Sequence, residues 1–339
     1  MRQQLRKLLI SILTAGLAVT TVGVGTTGVA GASSSPEHSS SRAPKAKHYT
    51  IGMTLLGLQF SFLDQLYAAS KTEAKKLGVS LDAVNPNDSV SQELAGVQAL
   101  IAKKPNAIVM IPVSYQESIT AAKLVNKAHI PLFLVNTVLA PSFTKQGGHF
   151  VSYIGSSDYQ DGLISGRFTA KTLHGHGNVI YIVTQFGDSS TTLRRDGFLH
   201  VLKNYPGIHV VSTQQALGLR ANAETVMENL LAHFKPGSVD AVVAQNDEMA
   251  IGALNAINKA GRRAQFKLIM GSDAEPQVWP YIKNGQITAS IFQNAVAQGI
   301  GAISVPVAYL NGKPYKHEDI IPYKLVTRSN LTTVIPAAK

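Results

Sequence analysis

From Tyr49 onward, short apolar runs rich in β-branched residues alternate with amphipathic segments of helical period. Continuous apolar runs of this length fit strands buried on both faces. Alternation of such strands with helices is the signature of a parallel sheet covered on both sides. The first series places strands near 50–56, 80–83, 107–111, 132–135 and 151–154, with helices near 62–77, 91–103 and 116–128. The second places strands near 178–183, 208–213, 240–244, 267–271 and 289–291. Its helices fall near 160–173, 191–205, 223–234, 248–260 and 275–284. A last helix near 295–310 precedes an extended tail to 326. Gly78 reads as a helix stop, and Pro105 and Pro131 sit just before strands, where no ladder bond is lost. The halves repeat an architecture without repeating a sequence. The expected fold is α/β: two similar doubly wound parallel-sheet lobes with a cleft between their strand ends. Open α/β sheets and domain interfaces place small-molecule sites there.

The chain has 339 residues, 45% hydrophobic and 15% charged, enough for two ordinary domains with a large core. It contains no cysteine, which removes disulfides, thiolate metal sites, cysteine nucleophiles and lipid attachment to an N-terminal cysteine. Residues 1–32 read as a secretory signal peptide. Arg2, Arg6 and Lys7 form a basic start, an apolar stretch follows, and Ala30-Gly31-Ala32 supplies the small-x-small cleavage pattern. An uncleaved membrane anchor competes, but the Gly and Thr within the apolar stretch favour cleavage. Residues 33–48, rich in Ser, Pro and Lys, read as a flexible leader. The formal charge is +11, and the signal carries three positive and no acidic residues, leaving +8. Lys and Arg are scattered rather than clustered with aromatics, so nucleic acid is not an expected partner.

The stretch Gln245-Asn246-Asp247-Glu248 lies between an apolar strand run and a helical segment carrying Met249, Ala253, Leu254 and Ile257. Free backbone N–H groups at such a junction favour acceptor oxygens, and an Asn amide both donates and accepts. That bifunctionality suits a neutral polyhydroxyl ligand. Asn246 or Asp247 acting as a helix cap explains the same residues, and the residues alone leave both readings open.

The segment Gln245 to Ala253 resembles that of periplasmic sugar-binding proteins of the ribose-binding type. So do Glu93-Leu94-Ala95-Gly96-Val97-Gln98, Arg194-Arg195-Asp196-Gly197-Phe198, Gly271-Ser272-Asp273 and Ile291-Phe292-Gln293-Asn294, in order and spacing. The resemblance spans roughly 49–328 and implies lobes joined by a three-crossover hinge. One lobe comprises 49–156 plus 294–322, the other 157–293 plus 323–339. It implies ligand contacts from Arg194, whose guanidinium donates only, and from Asp273, whose carboxylate accepts hydroxyl protons. Asn246 and the hinge residue Gln293 complete the second-lobe set. In the first lobe it implies Asn136, where the family often has Asp followed by Arg; Thr137 stands in place of that Arg. Ser156 matches a family serine near the first crossover, as a ligand contact or a helix cap. Phe62, with Phe60, offers an aromatic face for a sugar ring. The family asparagine before these aromatics is absent, with Gln59 as a substitute. Gly218 stands where the family often has an aromatic, with Leu217 or Leu219 as alternatives for that wall. These departures point to a ligand other than ribose.

No catalytic site emerges. There is no Gly-x-Ser-x-Gly elbow, and Gly187-Asp188-Ser189-Ser190 lacks the Gly-Lys-Ser/Thr of a phosphate loop. His174 and His176 read as a loop rather than a metal site, and Trp279 reads as a packing residue. The expectation is a non-enzymatic, cofactor-free, monomeric protein of the periplasm. It would bind a monosaccharide or polyol by hinge closure and deliver it to the permease of an ABC importer. A sensor feeding a chemoreceptor or kinase is the alternative. A repressor sharing this core would need an N-terminal DNA-binding module where the signal and leader stand.

Overall fold

The computed structural model describes residues 48–335 and 337. The signal peptide and all but His48 of the leader lie outside the described residues. The first elements are β1 (Thr50–Thr54), α1 (Ser61–Leu77), β2 (Ser80–Val84), α2 (Val90–Ala102), β3 (Ala107–Met110) and α3 (Ile119–Lys127). Next come β4 (Leu132–Val135), α4 (Ser142–Lys145), β5 (Ser152–Gly155), α5 (Asp158–Thr172), β6 (His176–Val183) and α6 (Ser189–Leu202). Then follow β7 (Gly207–Gln215), α7 (Arg220–His233), β8 (Ala241–Ala244), α8 (Asp247–Lys259), β9 (Leu268–Met270) and α9 (Trp279–Lys283). The chain ends through β10 (Ala289–Phe292), α10 (Ala295–Leu310), β11 (Glu318–Ile320), β12 (Lys324–Thr327) and α11 (Leu331–Val334).

Two six-stranded sheets result. One runs β11-β5-β4-β3-β1-β2, the other β12-β10-β9-β8-β6-β7. Every named pairing is parallel except β10 with β12. The central strands β3, β4 and β8 are buried at every position, because helices cover both faces. Each sheet therefore carries two cores. In the first lobe Ile51, Met53, Val109 and Phe133 pack on one side, and Leu100, Ile108, Leu134 and Phe143 on the other. In the second, Ile180, Val242 and Leu254 face one way, and Tyr181, Phe198 and Val243 the other. The chain passes between the sheets three times: from β5 to β6, from β10 to β11, and from β11 to β12.

Two local expectations shift. The helix expected over 275–284 is a 3-10 turn, Pro276–Val278, followed by the short α9. Pro276 and Pro280 supply no N–H, which their positions in the first turns tolerate but a continuous helix would not. The third helix starts at Ile119 rather than 116. In the tail, β11 adds to the first sheet and β12 to the second.

Candidate ligand-binding cleft

Helices α5 and α6 meet backbone to backbone, because both carry glycine at the crossing. A Cβ on Gly162 would lie 2.1 Å from the Arg194 carbonyl oxygen, and one on Gly197 2.2 Å from that of Tyr159. This approach sets Arg194 of α6 beside Asp158, the first residue of α5. Arg194 Nε donates to Asp158 Oδ1 at 2.9 Å. Its Nη1 donates to the Gln245 carbonyl, and its Nη2 to Gln293 Oε1 at 3.3 Å and to the Tyr323 hydroxyl at 3.2 Å. The Tyr323 hydroxyl donates in turn to Asp158 Oδ1 at 3.0 Å, tying the last crossover to the same cluster. Four of the five guanidinium N–H groups are thus engaged by the protein. Arg194 lines the cleft with one donor to offer.

The second-lobe strand ends supply Asn246, Asp273 and Gln293, which all line the same cleft. Asn246 caps a helix and also lines the cleft. Its Oδ1 accepts from Met249 N at 2.9 Å as the N-cap of α8, while its Nδ2 donates to the Gly218 carbonyl at 3.0 Å. Asp273 does not cap a helix. It adopts φ 100, is buried, and its carboxylate has no hydrogen-bond partner among the described residues. A non-glycine residue in that left-handed region is strained, and such strain marks functional sites. Burial raises its carboxyl well above the ordinary range, against the pull of Arg194. Gln293 follows β10 and leaves its Nε2 unengaged.

From the first lobe come Phe60, Phe62 and Asn136. Asn136 sits at φ 63 just after β4, with Nδ2 on Gln298 Oε1 at 3.1 Å and Oδ1 free. Phe60, the residue before α1, lies over Gly218: a Cβ there would be 3.1 Å from Phe60 Cε1. The missing second-lobe side chain is thus answered by an aromatic from the opposite lobe, with Leu217 beside it. Gln59 is placed elsewhere. It is exposed, folds back over Gly57, and lines an adjoining cavity of ≈ 230 Å³ with Arg220, Glu248 and Glu275. The expectation for Ser156 needs correction. It is buried outside the cleft wall, where its Oγ donates to the Ile321 carbonyl at 2.7 Å and takes Gln298 Nε2 at 3.4 Å. It pins two crossovers together.

Among the described residues, four hydrogen bonds join the lobes across the cleft. Ser61 Oγ and Gln65 Nε2 donate to Glu275 at 2.7 and 2.8 Å, Tyr115 N to the Gly187 carbonyl at 2.9 Å, and Val138 N to Ser189 Oγ at 3.1 Å. The cavity between the lobes is small, ≈ 90 Å³. Its wall also holds residues the sequence reading did not assign to a site: Asp88, Asp158, Thr184, Gln185, Asp188 and Ser190. Burial raises the Asp88 carboxyl to about 6. Burial, and then the charges of Asp88 and Asp158, raise Asp188 to about 8. The only signal for Asp188 was the Gly187-Asp188-Ser189-Ser190 turn, read there for anions; a carboxylate has the opposite preference. Among the described residues, no group of three or more His, Asp or Glu is arranged to hold a metal ion.

Aromatic faces, amides and carboxylates converging between two doubly wound lobes define a two-lobed solute-binding protein. The chain belongs to the periplasmic binding protein domain family, whose profile matches residues 51–314. It is a family of binding proteins, not enzymes. The chain is 30% identical over 285 residues to a putative rhizopine-binding protein of Rhizobium meliloti, covering 83% of this chain and 91% of the relative. It is 32% identical over 281 residues to the ribose import binding protein of Salmonella typhimurium, covering 82% and 90%. An ABC transporter solute-binding protein of Bacillus halodurans, solved with bound myo-inositol, superposes with a TM-score of 0.79 at 28% identity, covering 86% of this chain and 98% of that one.

Proposed function

We propose that this chain captures a monosaccharide or related polyol between its lobes and delivers it to the permease of an ABC importer. The observation that carries this is the pairing, in one cleft, of the Phe60 and Phe62 faces with unspent polar groups. Among the described residues, Asn136 Oδ1, Gln293 Nε2 and the Asp273 carboxylate have no hydrogen-bond partner, and all three side chains line the cleft. Ring hydroxyls would satisfy them while the apolar ring face lies on the aromatics. Arg194 and Asn246 are assigned a ligand contact each, and Gln59 a place at the rim. The lobes are taken as 49–156 plus 294–322 and 157–293 plus 323–339, moving about the three crossovers. The chain is taken to be exported by the signal in 1–32 and to act as a periplasmic monomer. The import proteins among its relatives favour transport over sensing.

The test is thermal unfolding of the protein, freed of co-purified ligand by unfolding and refolding, against pentoses, hexoses, cyclitols and their amino derivatives. A ligand that binds only the folded state at a hundredfold excess over its Kd adds about 2.7 kcal/mol. One compound should give such a shift, and Asp273→Ala should abolish it. No shift across the panel overturns the reading.

A further inference from the structure

The cleft holds more negative charge than hydroxyl recognition requires. Asp88, Asp158, Asp188 and Asp273 line it, and Arg194 is the one cation among the described residues on that wall. Arg194 is turned toward Asp158 and spends most of its donors there and on neighbouring oxygens. The others lack a positive partner of their own. Asp88 Oδ1 is buried with no donor in reach. Asp188 is only 8% exposed, and its side chain has neither a hydrogen bond nor an ion pair among the described residues. It precedes α6 in the N-cap position but does not cap it.

An unpaired buried carboxylate is costly, and two that raise each other's energy are costlier. These two come from different lobes. Asp88 stands in the loop after β2, at φ 61, and Asp188 at the start of α6. They face one cavity only because the lobes meet over it. A metal ion is a poor answer, because among the described residues no third His, Asp or Glu joins them in a ligating geometry. A neutral hydroxyl can donate one proton to either acid but leaves the charge. An ammonium group supplies three donors and the charge together.

We propose that the cleft selects an amino sugar or aminopolyol, whose ammonium group seats between Asp88 and Asp188 and bridges the two lobes. The hydroxyls of the same ligand then meet Asn136, Asn246, Asp273 and Gln293, so this inference rests on the sugar-binding reading and narrows it. The charged groups facing the ammonium are Asp88, Asp158, Asp188, Asp273 and Arg194. Binding holds Asp88 and Asp188 ionised. In the unliganded cleft they titrate at about 6 and about 8, so binding releases protons below pH 8. Affinity for the amine therefore rises from pH 5.5 to 7.5, which neutral sugars would not show.

The test is calorimetric titration of the refolded protein with matched pairs: D-glucose and D-glucosamine, D-galactose and D-galactosamine, D-glucitol and D-glucamine, myo-inositol and a monoamino-inositol. At least one amine should bind tenfold or more tightly than its hydroxyl counterpart. Asp188→Asn should weaken the amine at least tenfold more than it weakens the hydroxyl counterpart, and Asp88→Asn should act in the same direction. The melting temperature of unliganded Asp188→Asn should equal or exceed that of the parent, which shows that the variant folds. Hydroxyl members binding as tightly as their amines, or an amine preference that survives both substitutions, overturns this proposal and leaves the sugar-binding reading standing. No binding by any member overturns both.

Discussion

Ser61, at the start of α1 in the first lobe, donates a 2.7 Å hydrogen bond to Glu275 Oε2 in the second. Gln65, one helical turn further on, donates to the other oxygen of the same carboxylate at 2.8 Å. A single side chain therefore clamps two donors of the opposite lobe, at the rim rather than in the ligand cavity. The Glu275 backbone N–H is itself held by Asp247 Oδ2 at 2.9 Å, so the clamp is anchored on α8.

Breaking this clamp is predicted to act on closure and not on folding. A hydrogen bond to a charged group contributes about 1.5–3 kcal/mol, less where solvent reaches it. Glu275→Ala should weaken ligand affinity by roughly three- to thirtyfold, since ~1–2 kcal/mol of closed-state stability is lost. The unliganded melting temperature should change little. Titration calorimetry with scattering of the free and bound forms checks this, and an unchanged affinity would remove Glu275 from the closing step.

A second prediction concerns pH and the unliganded protein. Asp188 titrates at about 8, and Asp88 and Asp161 at about 6, all above their values in an unfolded chain. Burial is the first cause in each. The folded state therefore binds more protons than the unfolded state between about pH 4 and pH 8. Stability is greatest on the acid side of that window and is lost as the pH rises through it. The melting temperature should fall by a few degrees from pH 5.5 to 8.5, and Asp188→Asn should flatten the upper part of the curve. A melting temperature that rises over this range contradicts the assignment.

The α5–α6 crossing yields a third. Gly162→Ala places a methyl group 2.1 Å from the Arg194 carbonyl oxygen, a backbone atom that yields only if α6 moves. Overpacking of this kind costs about 1–3 kcal/mol. Because α6 carries Arg194 and begins directly after Asp188, ligand affinity should fall by more than tenfold alongside stability. A Gly162→Ala protein that melts lower but binds normally would show that α6 tolerates the shift without moving its cleft residues.

A fourth uses the pair Phe60 and Gly218. Gly218→Ala places a Cβ 3.1 Å from Phe60 Cε1 and forces a side chain onto φ 70. The backbone strain costs about 1 kcal/mol wherever Phe60 lies, whereas the crowding arises only when the lobes close over one another. Gly218→Ala should therefore reduce affinity less in a Phe60→Ala background than in the parent. A double-mutant cycle measures that coupling, and a coupling indistinguishable from zero would mean that the two do not meet in the bound form.

Much of the architecture was legible because burial on both faces leaves a plain mark. Strands such as Ala107–Met110 and Leu132–Val135 are apolar throughout. The helix Ala295–Leu310 was placed at its observed limits despite Pro306 within it. Glu318–Ile320 left no such mark: it is an edge strand, mostly exposed, and its pairing with β5 makes it a strand. The site divided the same way. Asn246, Asp273 and Gln293 stand at strand ends, where a doubly wound fold presents side chains to its cleft, and Arg194 reaches it from the second turn of α6. Ser156 stands at a strand end too, yet its hydroxyl turns to the Ile321 carbonyl.

What the sequence determined by itself is the repeated strand–helix order, and with it two sheets whose strand ends carry the polar junction residues. Periodicity and burial are local properties, read within a window of a dozen residues. What only the tertiary structure decided is which charges share a space. Asp88 and Asp188 lie in different lobes a hundred residues apart, and neither segment marks its acid as special. Their unpaired state in one shared cavity arises where the lobes meet, because desolvation and like-charge repulsion depend on distance in space and on excluded water. Neither quantity is written along the chain.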